Sequence, residues 1–573
     1  MKKQFLVWIA ILASLALPAI SSAEGLTEFA LAYNDNLGRQ GELPVVATGS
    51  QVYYPSGTYY FSEIDLKVAS RSVPMVWERT YRSNRVIKGN GRYVFAEPVD
   101  GPLGFGWTTP FTVRIENDAY VNAEGRYIFF VKDANGTYLP NQEAGQILKK
   151  TAEGYELTTL GGNTQLFNST GKLTAIRDTR GHSALLTYDA AGRLVAIADV
   201  MGREIFTFSY TAENRIARIT DLAGRSIDYG YDGFGNLELV AHNGEVLARY
   251  AYSTYHGITS KANVLDETYT IEYQYADKGV VSKVIDPEGT ALLYAGLPPT
   301  GHLMSFQYDF PNRVYYVTDQ LGVVRKYTLN SAGKVTSSSE IIGGTEQPKE
   351  TIEYLENRTT KTTDALGNVV LTQRDEWGNV IKSIDAEGFE WRYTYNTQGK
   401  LTSETDPLGT VNRYEYDAFG NRTKEIRATG TEDESQTSSV YNEYNELTSL
   451  VQGEATSSFQ YDNAGNLTEV KDPLSHSTSV TYDQLGNLLS RTPPLVGAIT
   501  YADYDRQGNP GKVTDANGHF VTYTYDPLGR VMTATSSADN GVTRYEYGTA
   551  GGGNCSSCGG GGSSGQLSAL ILP

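Results

Sequence analysis

Tyr525-Asp526-Pro527-Leu528-Gly529-Arg530 recurs, with substitutions, along most of the chain. It has the chemistry of a tight turn. Asp accepts backbone N–H bonds, Pro sets the next φ, and Gly takes the φ > 0 position that other residues resist. The pattern recurs as Tyr482-Asp483-Gln484-Leu485-Gly486-Asn487, Tyr461-Asp462-Asn463-Ala464-Gly465-Asn466, Tyr416-Asp417-Ala418-Phe419-Gly420-Asn421, Tyr231-Asp232-Gly233-Phe234-Gly235-Asn236 and Tyr188-Asp189-Ala190-Ala191-Gly192-Arg193. Tyr461, Tyr482, Tyr504, Tyr525 and Tyr547 follow one another at steps of 21 and 22 residues. A fixed period of this size predicts a repeat architecture.

A second turn lies about ten residues after the first, as at Asp221-Leu222-Ala223-Gly224, Asp364-Ala365-Leu366-Gly367, Asp406-Pro407-Leu408-Gly409 and Asp515-Ala516-Asn517-Gly518. Two turns per repeat leave about five or six residues for each strand, an ordinary strand length. One repeat is therefore one β-hairpin, and successive repeats form a continuous antiparallel ribbon. The pairs Tyr393/Tyr395, Tyr414/Tyr416, Tyr523/Tyr525 and Tyr545/Tyr547 are two apart, so each pair shares one face of its strand. A ribbon of over thirty twisted strands cannot stay flat, and it is expected to coil around a central space.

Roughly seventeen anchors mark the repeats. Phe167 takes the first Tyr position, and the series continues through Tyr210, Tyr252 and Tyr275. Between about 276 and 380 the spacing wanders, with Tyr308, Tyr327 and Tyr354 as anchors and Arg374 at the next Tyr position. The polar run from Ala428 to Thr437 reads as an exposed loop between repeats.

Composition agrees with many short strands and tight turns: 41 Tyr and 59 Gly among 573 residues, against 5 Met and 5 Trp. The net charge of -18 argues against a nucleic-acid or anionic-membrane partner, since both need clustered Lys and Arg. The chain opens like an export signal over residues 1–23: Lys2 and Lys3, an apolar run from Phe5 to Leu17, Pro18, then Ser21-Ser22-Ala23 before the expected cleavage. No Cys stands at that point for a lipid anchor, and no later run is long enough for a transmembrane helix. An exported protein, periplasmic, cell-surface or secreted, is expected. Residues 24–56 read as a leader or linker, 57–140 as an N-terminal β domain, 141–550 as the repeats and 551–573 as a Gly/Cys-rich tail.

The N-terminal β domain carries three separated motifs: the strand Gly57-Thr58-Tyr59, the Pro74-led strand ending Arg79-Thr80-Tyr81, and Gly101-Pro102-Leu103-Gly104-Phe105-Gly106-Trp107. In this order, ahead of the repeats, they resemble the small β domain of RHS (YD-repeat) proteins. The resemblance implies an all-β protein whose YD repeats wind into a spiral sheet or partial hollow shell. In full-length members that shell encloses a C-terminal toxic or effector segment. It also implies a downstream RHS core or effector polypeptide as partner. The RHS-associated core is absent from the sequence, so a truncated or split member is expected, with Leu567–Leu572 as the opening strand of a repeat lacking its partner.

Few residues of the chain are spaced for chemistry. Cys555 and Cys558 are the only cysteines, and in an exported protein they read as a local disulfide. Two Cys supply half a zinc site, which leaves a site shared between chains as the alternative. Gly561-Gly562-Ser563-Ser564-Gly565 matches the nucleophile-elbow pattern without the flanking strand and helix that the pattern requires. The six His residues have no metal spacing, and the recurrent Asp residues are explained by turns. The expectation is a non-enzymatic, cofactor-free shell segment with a structural or effector-encapsulating role. The alternative is a surface adhesin whose tyrosine ladders stack on glycans.

Overall fold

The computed structural model describes residues 52–53, 57–89, 92–96, 98–141, 145–275, 278–309, 312–330, 334–547 and the strand Leu567–Ile571. The expected signal segment, most of the leader, and Cys555 and Cys558 lie outside the described residues.

From Gln146 to Tyr547 the chain is one antiparallel meander in which each strand pairs with the strand before and the strand after it. With strands added from the N-terminal region, the sheet has 42 strands among the described residues. Most YD hairpins carry a register shift at the Tyr: between Thr187 and Tyr188, Gly230 and Tyr231, Glu415 and Tyr416, Gln460 and Tyr461, Thr481 and Tyr482, and Thr524 and Tyr525. A β-bulge bends its strand and increases the local twist. A bulge at this same place in most repeats accounts for the coiling of the ribbon, while the hairpins at Tyr308, Tyr354 and Tyr504 keep a continuous register.

The coil closes over itself. Arg180 pairs with Asp417, 237 residues further on, and Arg225 reaches the Arg506 carbonyl, 281 residues further on. At 21–22 residues per repeat, one circuit takes about eleven to thirteen hairpins. The second coil thus sits on the first along a seam, and the sheet does not close into a barrel.

The first coil is filled by the chain's own N-terminal region. Strands Thr58–Val68 and Met75–Arg82 pair antiparallel, with a bulge between Ile64 and Leu66, and Trp107–Thr108 adds to the second of them. Arg114–Glu116, Ala119–Val121 and Tyr127–Phe129 form a separate three-stranded sheet. Trp77, Trp107, Tyr81 and Phe111 from this region are buried in one core with Phe206, Ile219, Val240 and Ile271 of the ribbon. Buried apolar side chains run from Val52 to Val335; beyond them, Phe459 is the one apolar residue of the described chain in that group. The second coil is therefore a wall with two partly solvated faces.

The structure departs from the sequence reading at three places. Val52–Tyr53, assigned to the leader, is a strand paired with Thr58 and Tyr59. Leu567–Ile571, expected to lack a partner, pairs antiparallel with Val542–Tyr547, because the preceding strand offers a complete free edge. In the stretch where the spacing wanders, a helix, α1 (Pro287–Tyr294), replaces a tight turn. The Asp286 side chain caps it by accepting from Gly289 N, and Pro287 occupies its first position. The exposed loop expected from Ala428 to Thr437 is shorter: residues 430–434 are exposed, while Ser435 to Thr437 open the strand Ser435–Tyr441 and pair with Glu425 to Arg427.

Candidate functional site: the inward face and the coil seam

The YD turn is chemically self-contained. Asp526 Oδ1 accepts from Leu528 N and Arg530 N at 2.9 Å each, and its Oδ2 accepts from Arg530 Nε at 2.6 Å. Gly529 N donates to the Asp526 carbonyl at 2.8 Å, with Gly529 at φ +80°. Where the sixth residue is Asn, its Nδ2 takes the Oδ2 position: Asn421 on Asp417, Asn466 on Asp462, Asn487 on Asp483 and Asn236 on Asp232. Asp189 is held by Arg193 in the same way, with Gly192 at φ +76° and Gly235, Gly420, Gly465 and Gly486 likewise positive. Both carboxylate oxygens are thus occupied within their own turn, which leaves these aspartates poorly placed as general bases. The sixth residue was visible in the sequence, but only the geometry gives it this role.

The tyrosine joins one repeat to the one before. Tyr525 Oη donates to the Pro510 carbonyl at 2.9 Å, Tyr482 to Leu467 at 3.0 Å, Tyr461 to Leu447 at 2.9 Å, and Tyr416, Tyr231 and Tyr188 to Leu401, Ile216 and Leu173 at 2.7 Å each. The ladder between such neighbouring strands stops short of the acceptor: pairing of Leu467–Lys471 with Ser477–Tyr482 begins at Glu469. The Tyr hydroxyl supplies a donor to this carbonyl beyond the end of the ladder. Burial, then Asp505 and Tyr523, pushes the Tyr525 phenol up to about 12. Tyr482→Phe is expected to leave the Leu467 carbonyl without this donor, at a cost of about 0.5–1.5 kcal/mol. The measurement is hydrogen exchange, which should quicken across strands 467–471 and 477–482 and stay unchanged two repeats away.

Residues paired across the sheet share a face, so the inward face can be followed from strand to strand. Tyr229 and Tyr250 touch the N-terminal region. From Tyr250 the face passes through Lys261, Tyr269, Ile271, Val284, Met304, Phe306 and Val317. It continues through Arg325, Glu340, Gln347 and the strands beyond to Tyr393, Glu404, Tyr414 and Glu425, and at the far end to Tyr523, Ala534, Thr543 and Tyr545. The tyrosine ladder of both coils therefore points inward.

In the first coil this face grips the N-terminal region through a buried polar network. Arg79 Nε and Nη2 donate to Asp65 at 2.5 and 2.9 Å, and Tyr229 Oη donates to Asp65 Oδ2 at 2.5 Å. Trp77 Nε1 donates to Tyr229 Oη and Trp107 Nε1 to Tyr252 Oη, both at 2.9 Å. Tyr81 Oη donates to the His256 carbonyl and accepts from Ile258 N. Burial, then Asp65, pushes the Tyr229 phenol well up. The motif ending Arg79-Thr80-Tyr81 thus supplies both the ion pair and the backbone clamp.

The seam is a second polar cluster, absent from the sequence reading because its partners are hundreds of residues apart. Arg180 Nη2 lies 3.3 Å from Asp417 Oδ2, Arg180 Nε donates to Asn445 Oδ1 at 2.5 Å, and the Arg180 guanidinium lies 3.9 Å from the Phe419 ring centre. Arg71 pairs with Glu446 at 3.0 Å and covers Tyr444, which stacks on His182. Ala69 N donates to the Leu485 carbonyl, so a loop of the N-terminal region is wedged into the seam. Burial pushes the Asp417 carboxyl up, but bonds from Asn421 and the turn backbone outweigh it and hold the group below the usual carboxylate range.

Among the described residues, no group of three or more His, Cys, Asp or Glu is placed to hold a metal ion. No described helix is long and apolar enough to cross a membrane.

A family model described as Teneurin YD-shell matches residues 140–354 and 348–553, and one described as Domain of unknown function (DUF6531) matches residues 49–130. No curated protein matches the chain. Among solved structures, the Photorhabdus luminescens Tc holotoxin pore aligns at 13% identity with TM-score 0.37, covering 90% of this chain and 32% of that one. TcdB2-TccC3 without its hypervariable C-terminal region aligns at 13% identity with TM-score 0.36 and the same coverage. A porin-like protein from Bacteroides uniformis aligns at 16% identity with TM-score 0.15, covering 32% of this chain and 91% of that one. The chain spans about a third of the length of the two toxin structures.

Proposed function

Because the chain belongs to the teneurin YD-shell family of YD-repeat proteins, we propose that it is a non-catalytic, exported wall segment whose second, partial coil lines one side of a polypeptide. One observation carries this reading. The inward face is covered by the chain's own N-terminal region in the first coil and is left partly solvated in the second. In the first coil that face receives a folded domain through Tyr hydroxyls, a buried ion pair and aromatic contacts. In the second coil the same positions hold Tyr393, Tyr414, Tyr523 and Tyr545, mixed with Glu404 and Glu425. Such a surface holds a chain by many weak contacts and has no built reaction centre. The occupant is a downstream RHS core or effector polypeptide. A glycan-stacking adhesin would need these rings turned outward.

The test appends an unstructured, protease-susceptible polypeptide after Pro573 and follows its cleavage. Several-fold protection is expected, and it should vanish in an Arg71→Glu/Arg180→Glu variant whose seam is broken. Cleavage at the rate of the free polypeptide in both proteins would overturn the proposal.

A further inference from the structure

Strand Thr58–Val68 crosses the first coil from one rim to the seam. At one end Thr58 pairs with Val280, beside the Gly279 carbonyl that accepts from Ser83 Oγ. At the other, the Lys67 carbonyl accepts from Arg225 Nη2, and Ala69 N donates to the Leu485 carbonyl of the second coil. One edge of this strand is taken, since Tyr60 to Val68 pair with Met75–Arg82. Ser83 N donates to the Tyr59 carbonyl, so Tyr59 faces that edge, and the backbone groups of Tyr60, Ser62 and Ile64 face the other.

On the second edge, the described pairing covers two residues: Tyr53 lies on Thr58 and Val52 on Tyr59. From Tyr60 to Ile64 no further strand follows it among the described residues. Ser62 is exposed there and Ile64 is 59% exposed, whereas Tyr59 and Phe61, on the face toward the ribbon, are buried. An open edge of this kind is a template for one more strand.

The chain brings its own candidate to that edge. Val52 is buried and already in register, and Leu43-Pro44-Val45-Val46-Ala47-Thr48-Gly49-Ser50-Gln51 leads directly into it. Val45, Val46 and Thr48 are β-branched and favour strands, and Pro44 stands where a strand would start. Continuing the register sets Gln51 on Tyr60, Gly49 on Ser62 and Ala47 on Ile64. The nine residues from Leu43 to Gln51 span about 30 Å when extended, which matches the length of the open edge up to the seam.

We propose that residues 45–51 of the leader complete this edge as a strand antiparallel to Thr58–Val68, with Ala47 beside Ile64. The leader is then an inner element of the first coil, and the residues before Leu43 emerge at the seam, beside the second coil. This goes beyond the wall-segment reading. The leader precedes the N-terminal domain and the occupant of the second coil follows Pro573, so either proposal can fail alone.

Ala47→Cys/Ile64→Cys, in a chain carrying Cys555→Ser and Cys558→Ser, tests the register. Residues directly opposed at such a site have Cα atoms about 5.5 Å apart, within reach of a disulfide. After mild oxidation both thiols should resist alkylation until reductant is added, in a chain that stays monomeric on a non-reducing gel. Val46→Cys/Ile64→Cys, with the two thiols on opposite faces, should remain open to alkylation. Hydrogen exchange of the full chain gives an independent readout: the Ser62 and Ile64 amides should exchange several-fold faster in Gly49→Pro than in the unaltered protein. Equal alkylation of the two cysteine variants, a disulfide joining two copies, or Ser62 and Ile64 amides indifferent to Gly49→Pro would overturn the proposal.

Discussion

Asp65→Ala is expected to loosen the N-terminal region from the first coil at a cost of about 3–5 kcal/mol, the range found when one partner of a buried ion pair is removed. Arg79 and Asp65 are almost wholly buried, with 2 and 4% of their side chains exposed. Burial would pull the Arg79 guanidinium down, but the Asp65 charge outweighs it and holds the group well above its ordinary value. Without Asp65, a buried cation keeps only Tyr250 Oη at 3.4 Å and the faces of Trp107 and Tyr229. Tyr229 Oη loses its acceptor as well. Urea unfolding followed by tryptophan fluorescence measures the effect, because Trp77 and Trp107 both lie in this core. Asp65→Leu combined with Arg79→Met should recover most of the loss, since apolar replacement of a whole buried pair is often close to neutral. A change in Asp65→Ala below about 1 kcal/mol, the scale of an exposed pair, would mean that the network is wetter than its geometry indicates.

Alkali is expected to unfold the wall as a unit. Burial is the first cause of the upward shift at Tyr461, Tyr504 and Tyr525, each pushed up to about 12, and at Tyr416 and Tyr482, which move in the same direction. The sign follows from linkage. A phenol whose folded value is raised contributes stability that is complete below its unfolded value near 10 and is lost as pH rises through the folded value. The shifts are modest singly, but they recur at these five repeats and act on hydroxyls that join neighbouring hairpins. Circular dichroism should therefore show the sheet intact at pH 9 and lost between about 10 and 12. Phenolate absorbance should rise with that loss, not ahead of it. Ionisation of most tyrosines near 10 while the β signal persists would contradict the picture.

The repeat was legible because its chemistry is local. Asp526, Gly529 and Arg530 satisfy one another within five residues, and the 21–22 residue period then fixes hairpins and ribbon. The three motifs between Gly57 and Trp107 were legible as well, though not their task of filling the first coil. What was hidden is non-local. Tyr482 belongs to a turn by sequence, but its hydroxyl serves the hairpin before. Arg180 looks like any turn residue until the ribbon brings Asp417 and Asn445 to it. Helix α1 was missed because eight residues opening Pro287-Glu288-Gly289 show no helical apolar stripe, and its start rests on the single cap Asp286. The helix accounts for the long step from Tyr275 to Tyr308, and the lengthened hairpin of Val335–Ile342 and Thr345–Leu355 for the step from Tyr327 to Tyr354.

The central claim is that one hairpin ribbon makes more than one circuit and rests on itself along the seam. A cryo-electron-microscopy map of the full chain tests this most directly. The predicted map places turn 178–182 against turns 417–421 and 442–446, with Trp77 inside the first coil. A single open ribbon, with those turns separated by solvent and the N-terminal region outside the coil, would contradict it.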